Sequence, residues 1–138
     1  MHGWLGDTSA INRWRRPEVG PTLERLLEVG LLWTCPPIDL EVLFSARSPR
    51  EYTRLQSGLR VAFNRAPLNE AVGDRALRLQ SELARRSRHR AVGVNDLLIA
   101  ATAIEHDLVV LHYDRDFDVL GEVCGVPHQA VAPLGSIP

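Results

Sequence analysis

Residues Leu97 to Ile104 are apolar on nearly every side of a helix, and Leu108-Val109-Val110-Leu111 follows within four residues. A helix without a polar face has to be enclosed by other elements. A short continuous apolar run beside it reads as a strand buried on both faces. The pattern recurs upstream. Leu31-Leu32-Trp33-Thr34-Cys35 is a second such run, expected to be ended by Pro36-Pro37. Helices are predicted around it. Thr8 to Arg16 is a short one. Pro21 to Val29 carries Leu23, Leu26 and Leu27 on one side and has Gly30 as its C-cap. Ile38 to Ala46 is a third. Ser48-Pro49 gives an N-cap and a proline at the first helical position, opening a stripe of Tyr52, Leu55 and Leu59. Gly58 weakens that helix, and Val61-Ala62-Phe63 reads as a short strand after it. Leu68, Val72, Ala76, Leu79 and Leu83 form one face of a long helix. Gln129-Ala130-Val131-Ala132 is the expected last strand. Strands separated by helices imply parallel crossover units. The expectation is one α/β domain over residues 1–138, a sandwich with a central, mostly parallel sheet flanked by helices. A first strand ending at Asp7 would contain Gly3 and Gly6, which is poor strand chemistry.

The length of 138 residues suits one domain. No apolar run approaches the roughly 20 residues of a membrane span, so no membrane association is expected. The first residues lack a basic segment followed by a long apolar one. Cys35 and Cys124 give no disulfide framework and no CxxC spacing; a reduced cytoplasm is the default expectation. The net charge of −1 gives no global attraction to nucleic acid, so such binding must come from local patches. All 16 basic residues are arginine. A GC-rich genome accounts for that, although arginine also suits phosphate contact better than lysine.

The chemistry is concentrated in carboxylates. Asp7 begins Asp7-Thr8-Ser9 at the end of the first apolar segment; it reads either as an N-cap or as a site residue at the carboxyl end of a strand, where open α/β sheets build sites. Glu41 lies three residues after Ile38 and three before Phe44, hence on an apolar helix face. A glutamate there needs a partner such as Arg13 or a metal. Asp96 opens the most hydrophobic helix in Val94-Asn95-Asp96-Leu97, where Asn95 or Asp96 could be the cap. Asp114 and Asp116 follow the strand Leu108 to Leu111 in His112-Tyr113-Asp114-Arg115-Asp116-Phe117; a solvated turn is the plain reading, and Asp118 reads as surface. Carboxylates converging on one cleft repel one another. A divalent cation resolves that, and hard oxygen ligands select magnesium or manganese, whose chemistry includes phosphodiester cleavage.

Four blocks then carry a resemblance along essentially the whole chain: Asp7-Thr8-Ser9-Ala10, Glu41 on an early helix, Val94-Asn95-Asp96-Leu97-Leu98-Ile99-Ala100-Ala101, and Val110-Leu111-His112-Tyr113-Asp114-Arg115-Asp116-Phe117. In order and spacing the chain resembles the PIN-domain family and, within it, the VapC-type toxins of bacterial toxin–antitoxin pairs. The resemblance implies a PIN-like sandwich. It also implies an acidic site binding Mg2+ or Mn2+, RNA cleavage, a homodimer and a cognate VapB-like antitoxin protein. Asp7, Glu41, Asp96 and Asp114 match the family's four acids, and Asp116 a frequent fifth. Thr8 or Ser9 matches a hydroxyl that supports the metal or its water. The glycine-containing first strand departs from the family's usual apolar one.

The remaining candidates are weaker. Arg85, Arg86, Arg88, His89 and Arg90 precede the Asp96 segment. They read as a solvated helix end or as a phosphate-binding rim for RNA; Arg13, Arg15 and Arg16 permit the same second reading. His112 reads as structural in preference to a general base. Trp14 and Trp33 read as core or dimer contacts. No histidine spacing resembles a zinc site, and no glycine-rich phosphate loop is present. The expectation is a metal-dependent endoribonuclease toxin. A non-catalytic PIN-like module binding RNA or protein is the alternative, as is a DNA-directed nuclease.

Overall fold

The computed structural model describes residues Met1 to Pro138. Five strands, β1 (Gly3–Gly6), β2 (Leu32–Thr34), β3 (Asn64–Arg65), β4 (Leu108–His112) and β5 (His128–Ala130), form one sheet in the order β3-β2-β1-β4-β5, every pair parallel. Seven helices connect and cover it: α1 (Thr8–Ile11), α2 (Gly20–Glu28), α3 (Pro36–Phe44), α4 (Pro49–Ala62), α5 (Glu70–Arg85), α6 (Val94–Glu105) and α7 (Arg115–Cys124). The α/β sandwich is therefore as expected. The chain runs outward from β1 through β2 to β3, then returns past β1 to place β4 on its other side. The strand order reverses between β1 and β4, and the crevice above their carboxyl ends is where such sheets build sites.

The sheet is covered on both faces, as wholly parallel strands require. The larger core joins Leu5 and Val110 to Ile38, Leu79, Leu83, Ile99, Ala100, Phe117 and Leu120, all at most 2% exposed. The smaller joins Val19, Leu23, Leu32, Leu111 and Ile137 on the opposite face. Five residues of α6, Ile99 to Ala103, are fully buried, so its all-round apolarity places it in the interior. Val72, Ala76, Leu79 and Leu83 bury the predicted face of α5, while Leu68 lies before that helix and is exposed. Trp33 packs against the larger core and Trp14 against the smaller. No helix is long and apolar enough to cross a membrane.

Several boundaries differ from the sequence expectation, each for a local reason. The glycines of β1 are compatible with a central strand because it is hydrogen-bonded on both sides. A Cβ at Gly3 would lie 2.6 Å from Trp33 Nε1 and 2.7 Å from Leu31 O; only glycine admits the Trp33 side chain there. The first helix ends at Ile11 and passes into turns, well short of Arg16. Pro36 and Pro37 open α3, where their missing N–H groups cost nothing. Gly58 does not end α4, which runs to Ala62, so the strand there is Asn64–Arg65, beyond the expected Val61 to Phe63. The last strand is His128–Ala130, earlier than Gln129 to Ala132. At the end of α7, Gly125 takes φ +69° and gives the left-handed C-cap.

Candidate metal centre

β1 delivers Asp7 to the crevice. The Asp7 amide donates to Leu111 O at 2.9 Å, so the residue is fixed to β4 as well. Its side chain caps α1: Oδ2 accepts from Ser9 N at 3.0 Å and from Ser9 Oγ at 2.5 Å. The capping and the site readings of Asp7 thus describe different oxygens of one carboxylate. Oδ1 is buried and has no hydrogen-bond partner. An orphaned buried carboxylate oxygen is costly unless something cationic meets it. Burial pushes the Asp7 pKa up to about 6, against the two Ser9 hydrogen bonds and with help from the charges of Glu41 and Asp114.

Asp114 arrives two residues beyond β4. It caps α7, with Oδ1 accepting from Asp116 N at 2.9 Å. Ser9 Oγ also accepts from Tyr113 N at 2.9 Å, so one hydroxyl ties the end of β4 to the Asp7 carboxylate. Asp96 sits in the first turn of α6. The cap of that helix is Gly93, with no side-chain hydrogen bond, and not Asn95 or Asp96 as expected. Asn95 instead donates from Nδ2 to Pro37 O at 3.1 Å, tying α6 to α3. Neither Asp96 nor Asn95 is engaged in capping, and the Asp96 carboxylate meets Asp114 and Asp116: oxygens from all three lie within 4.8 Å of one another. Burial is the largest cause raising the Asp96 pKa, followed by a hydrogen bond to Asp116 and the charges of Asp7, Asp114 and Asp116. Three helix N-termini and two strand ends therefore aim acids at one place, and the chain itself supplies no cation among them. The residues fit a hard divalent ion: all-oxygen donors, negative charge in excess, and one buried oxygen without a partner.

Glu41 requires a correction. It is exposed, and so is Phe44 at 90%, so the two share an outward face of α3 and not an inward one. The buried face of α3 is instead Pro37, Ile38, Asp39 and Val42, so Asp39 points inward in its place. Asp39, 8% exposed, accepts from Thr34 Oγ1 at 2.7 Å and pairs with Arg65. Arg13 is not a partner of Glu41; it donates to Ser9 O at 2.7 Å and lies 4.6 Å over the Tyr113 ring. Glu41 nonetheless reaches the rim of the crevice, where Thr8 Oγ1 donates to it at 3.3 Å. An open cavity of about 420 Å³ lies there, lined by Thr8, Asn12, Leu40, Glu41, Phe44 and Asn95. Thr8 and Ser9 thus separate in role: Thr8 touches Glu41, and Ser9 holds Asp7.

Arg85 closes α5 and Arg86 caps it, with Arg88 and Arg90 in the following loop. Arg75 near the start of α5 pairs with Glu105 at the end of α6, so the two helices are antiparallel and the arginines lie toward the Asp96 end of the hairpin. Asp118 is exposed. His112 is fully buried. Its Nδ1 accepts from Asp114 N at 3.1 Å and its Nε2 lies 2.9 Å from His128 Nδ1. Asp39 and His128 were not singled out by the sequence. Only the apolar context of Asp39 could have marked it, and that context was assigned to Glu41.

Comparison with known proteins identifies the family of the fold. The PIN domain family model matches residues 5–123. Ribonuclease VapC51 of Mycobacterium tuberculosis is 45% identical over 134 residues, covering 97% of this chain and 96% of the relative. Ribonuclease VapC21 of the same organism is 37% identical over 133 residues, 96% of each chain. Among solved structures, DNA-bound VapBC from Salmonella typhimurium superposes with a TM-score of 0.78 at 16% identity, covering 96% of this chain and all of that one. VapBC2 from Rickettsia felis, bound to a promoter DNA fragment, gives 0.76 at 13%, covering 92% and 97%; these two likenesses speak to fold. With a family model spanning most of the chain and relatives matched nearly end to end, the chain belongs to the PIN-domain family, among its VapC members.

Proposed function

We propose that this chain is a Mg2+- or Mn2+-dependent endoribonuclease, the toxin half of a toxin–antitoxin pair. The observation that carries the reading is the cluster of Asp96, Asp114 and Asp116, with Asp7 close enough for its charge to act on Asp96 and Asp114 and with a buried, unpartnered Oδ1. Its relatives' ribonuclease name supports the activity. Asp7, Asp96, Asp114 and Asp116 would hold the ion, with Glu41 at the rim. When bound, such an ion neutralises phosphate charge and makes water a better nucleophile. The chain's residues do the positioning. Ser9 fixes the Asp7 carboxylate and leaves Oδ1 free. The caps of α1 and α7 hold Asp7 and Asp114 at set angles. The Thr8 hydroxyl and Glu41 face the open cavity, where they can orient water or a ribose hydroxyl. The arginines after α5 supply a phosphate-binding rim.

A nuclease of this kind is held in check by a partner, and the VapBC complexes among its structural neighbours support a VapB-like antitoxin here, with the toxin as a homodimer. A cationic side chain of that antitoxin among the acids would substitute for metal charge. The test combines chemistry with the fold: purified chain and RNA in Mn2+, in EDTA, and as Asp96→Asn. Cleavage in Mn2+ that vanishes in both other arms, with the variant still folded, supports the reading. Cleavage that survives EDTA and the substitution overturns it. Mapping RNA ends after brief expression in a host identifies the substrate.

A further inference from the structure

Behind the acids, β4, β5 and α7 enclose a pair of histidines. His112 is fully buried and His128 has a quarter of its side chain exposed. Their rings lie 5.1 Å apart, and the His112 ring is also 5.1 Å from Phe117. A Cβ at Gly121 on α7 would run into the His128 ring, so glycine makes room for it. His112, His128 and Asp118 could bring three donor atoms within 4.8 Å, the dimensions of a transition-metal site. The hydrogen bonds argue against that use. Asp114 N–H donates to His112 Nδ1, so Nδ1 carries the lone pair and the ring proton sits on Nε2. Nε2–H then donates to His128 Nδ1 at 2.9 Å. A metal on Nε2 would force the proton to Nδ1, where the Asp114 N–H already points. The cluster is therefore a directed chain of neutral groups: Asp114 amide to His112 to His128.

This chain has a counterpart one residue earlier. Tyr113 N donates to Ser9 Oγ, which donates to Asp7 Oδ2. Two consecutive amides between β4 and α7 are thus held by side chains, one from the Asp7 side and one from the histidine side. We propose that His112 and His128 are positioning residues for the acidic centre, His128 orienting the His112 ring and the ring fixing Asp114 through its backbone amide. This rests on the reading of Asp114 as a metal ligand. Groups that orient a ligand from behind govern ion affinity although they never touch the ion.

Two measurements test it without activity. In the metal-free chain near neutral pH, long-range proton–nitrogen NMR should find His112 protonated at Nε2; a proton at Nδ1 overturns the proposal. The second is Mn2+ affinity by calorimetry across paired variants. His112→Asn keeps an acceptor where Nδ1 was, whereas His112→Gln reaches toward His128 and leaves the Asp114 amide without one. His112→Asn should bind Mn2+ within about threefold of the parent and His112→Gln about 10- to 100-fold more weakly. A merely structural histidine would lower the melting temperature of both and leave affinity equal, which overturns the proposal. Should neither fold, the half-buried His128 decides: His128→Asn keeps the acceptor for His112 and should match the parent, and His128→Leu should weaken binding. Parent-like affinity in His128→Leu overturns the proposal. A parent that binds no Mn2+ removes the metal reading itself. A parent that binds, with His112→Gln equal to it, removes only the positioning role.

Discussion

Asp7 and Asp39 are both buried aspartates, one just past β1 and the other on the helix that follows the adjacent strand β2, and the protein treats them in opposite ways. Asp39 has each oxygen satisfied, Oδ1 by the Thr34 hydroxyl and Oδ2 by Arg65, so it ties β2, α3 and β3 together. Asp7 has both local donors on one oxygen, Ser9 N and Ser9 Oγ, and none on the other. A carboxylate matched by the chain's own cation contributes to the folded state. One left half-satisfied beside Asp114 and Glu41 costs stability until an outside cation arrives. On the proposed reading, the difference separates a residue that serves architecture from one that would serve a ligand, although both are buried acids.

Neutralising each acid should break the comparison cleanly. Asp7→Asn keeps the shape and the Ser9-facing oxygen but removes the charge. RNA cleavage in Mn2+ should fall by more than about 100-fold, beyond the 10–100-fold range for residues that only support ligands. The folded state should survive, as read by circular dichroism and thermal melting. Activity within a few-fold of the parent would place Asp7 with Asp39 as a structural residue.

The pH dependence sharpens the same point. The Asp7 pKa is raised by burial from its ordinary value of 3.8 to about 6. The folded metal-free chain therefore holds a proton between about pH 4 and 6 that the unfolded chain has released. Stability from this group is present below the unfolded value and is lost as pH rises through the folded one, by about 3 kcal/mol at most. His112, lowered by burial from 6.5 to about 4, works in the opposite sense across the same range. The informative quantity is thus the difference between the parent and Asp7→Asn in EDTA. The two should be equally stable near pH 4, and the variant more stable near pH 7. Urea titrations at a series of pH values check this; a flat difference would show that the Asp7 charge is already neutralised within the fold.

Asp39→Ala should do the reverse. It removes the acceptor of a buried hydroxyl and leaves Arg65 without its partner. Arg65 is nearly half exposed, so the loss falls below the range for fully buried pairs, at about 2 kcal/mol. Thermal melting should show it, while cleavage per folded molecule stays within a few-fold of the parent. A collapse of activity with unchanged stability would mean that Asp39 belongs to the site.

The two aspartates also show what a sequence exposes and what it hides. The strand and helix order was legible because α6 is apolar all round and β4 follows it directly. Asp7, Asp96, Asp114 and Asp116 were legible because each follows a strand or opens a helix. The orientation of α3 was not. Glu41 was placed inside because it lies midway between Ile38 and Phe44, but Phe44 is exposed and the buried face runs through Ile38, Asp39 and Val42. The histidine pair was hidden because His128 lies 16 residues beyond His112 on a strand of only three residues, whose exact placement decides the contact. The glycines of β1 misled for a related reason: their need is set by Trp33 on the neighbouring strand, not by local propensity.

The smallest expected effect concerns how Glu41 joins the buried acids. Its side chain accepts from Thr8 Oγ1, the neighbour of Asp7 in sequence, at 3.3 Å and at an exposed position. A long, solvated hydrogen bond contributes at the low end of the ordinary range, about 0.5–1 kcal/mol, so Thr8→Val should slow cleavage by roughly two- to fivefold. Valine matches the shape of threonine and keeps the start of α1, because the cap is Asp7 and its donors come from Ser9. The melting temperature should therefore move by less than about 2 °C. Cleavage rates at saturating Mn2+ together with thermal melting make the test. A loss comparable to that of Asp7→Asn would show that the Thr8 hydroxyl itself meets the ion or its water. No loss at all, with Glu41→Gln still impaired, would show that Glu41 acts from the rim without being oriented by Thr8.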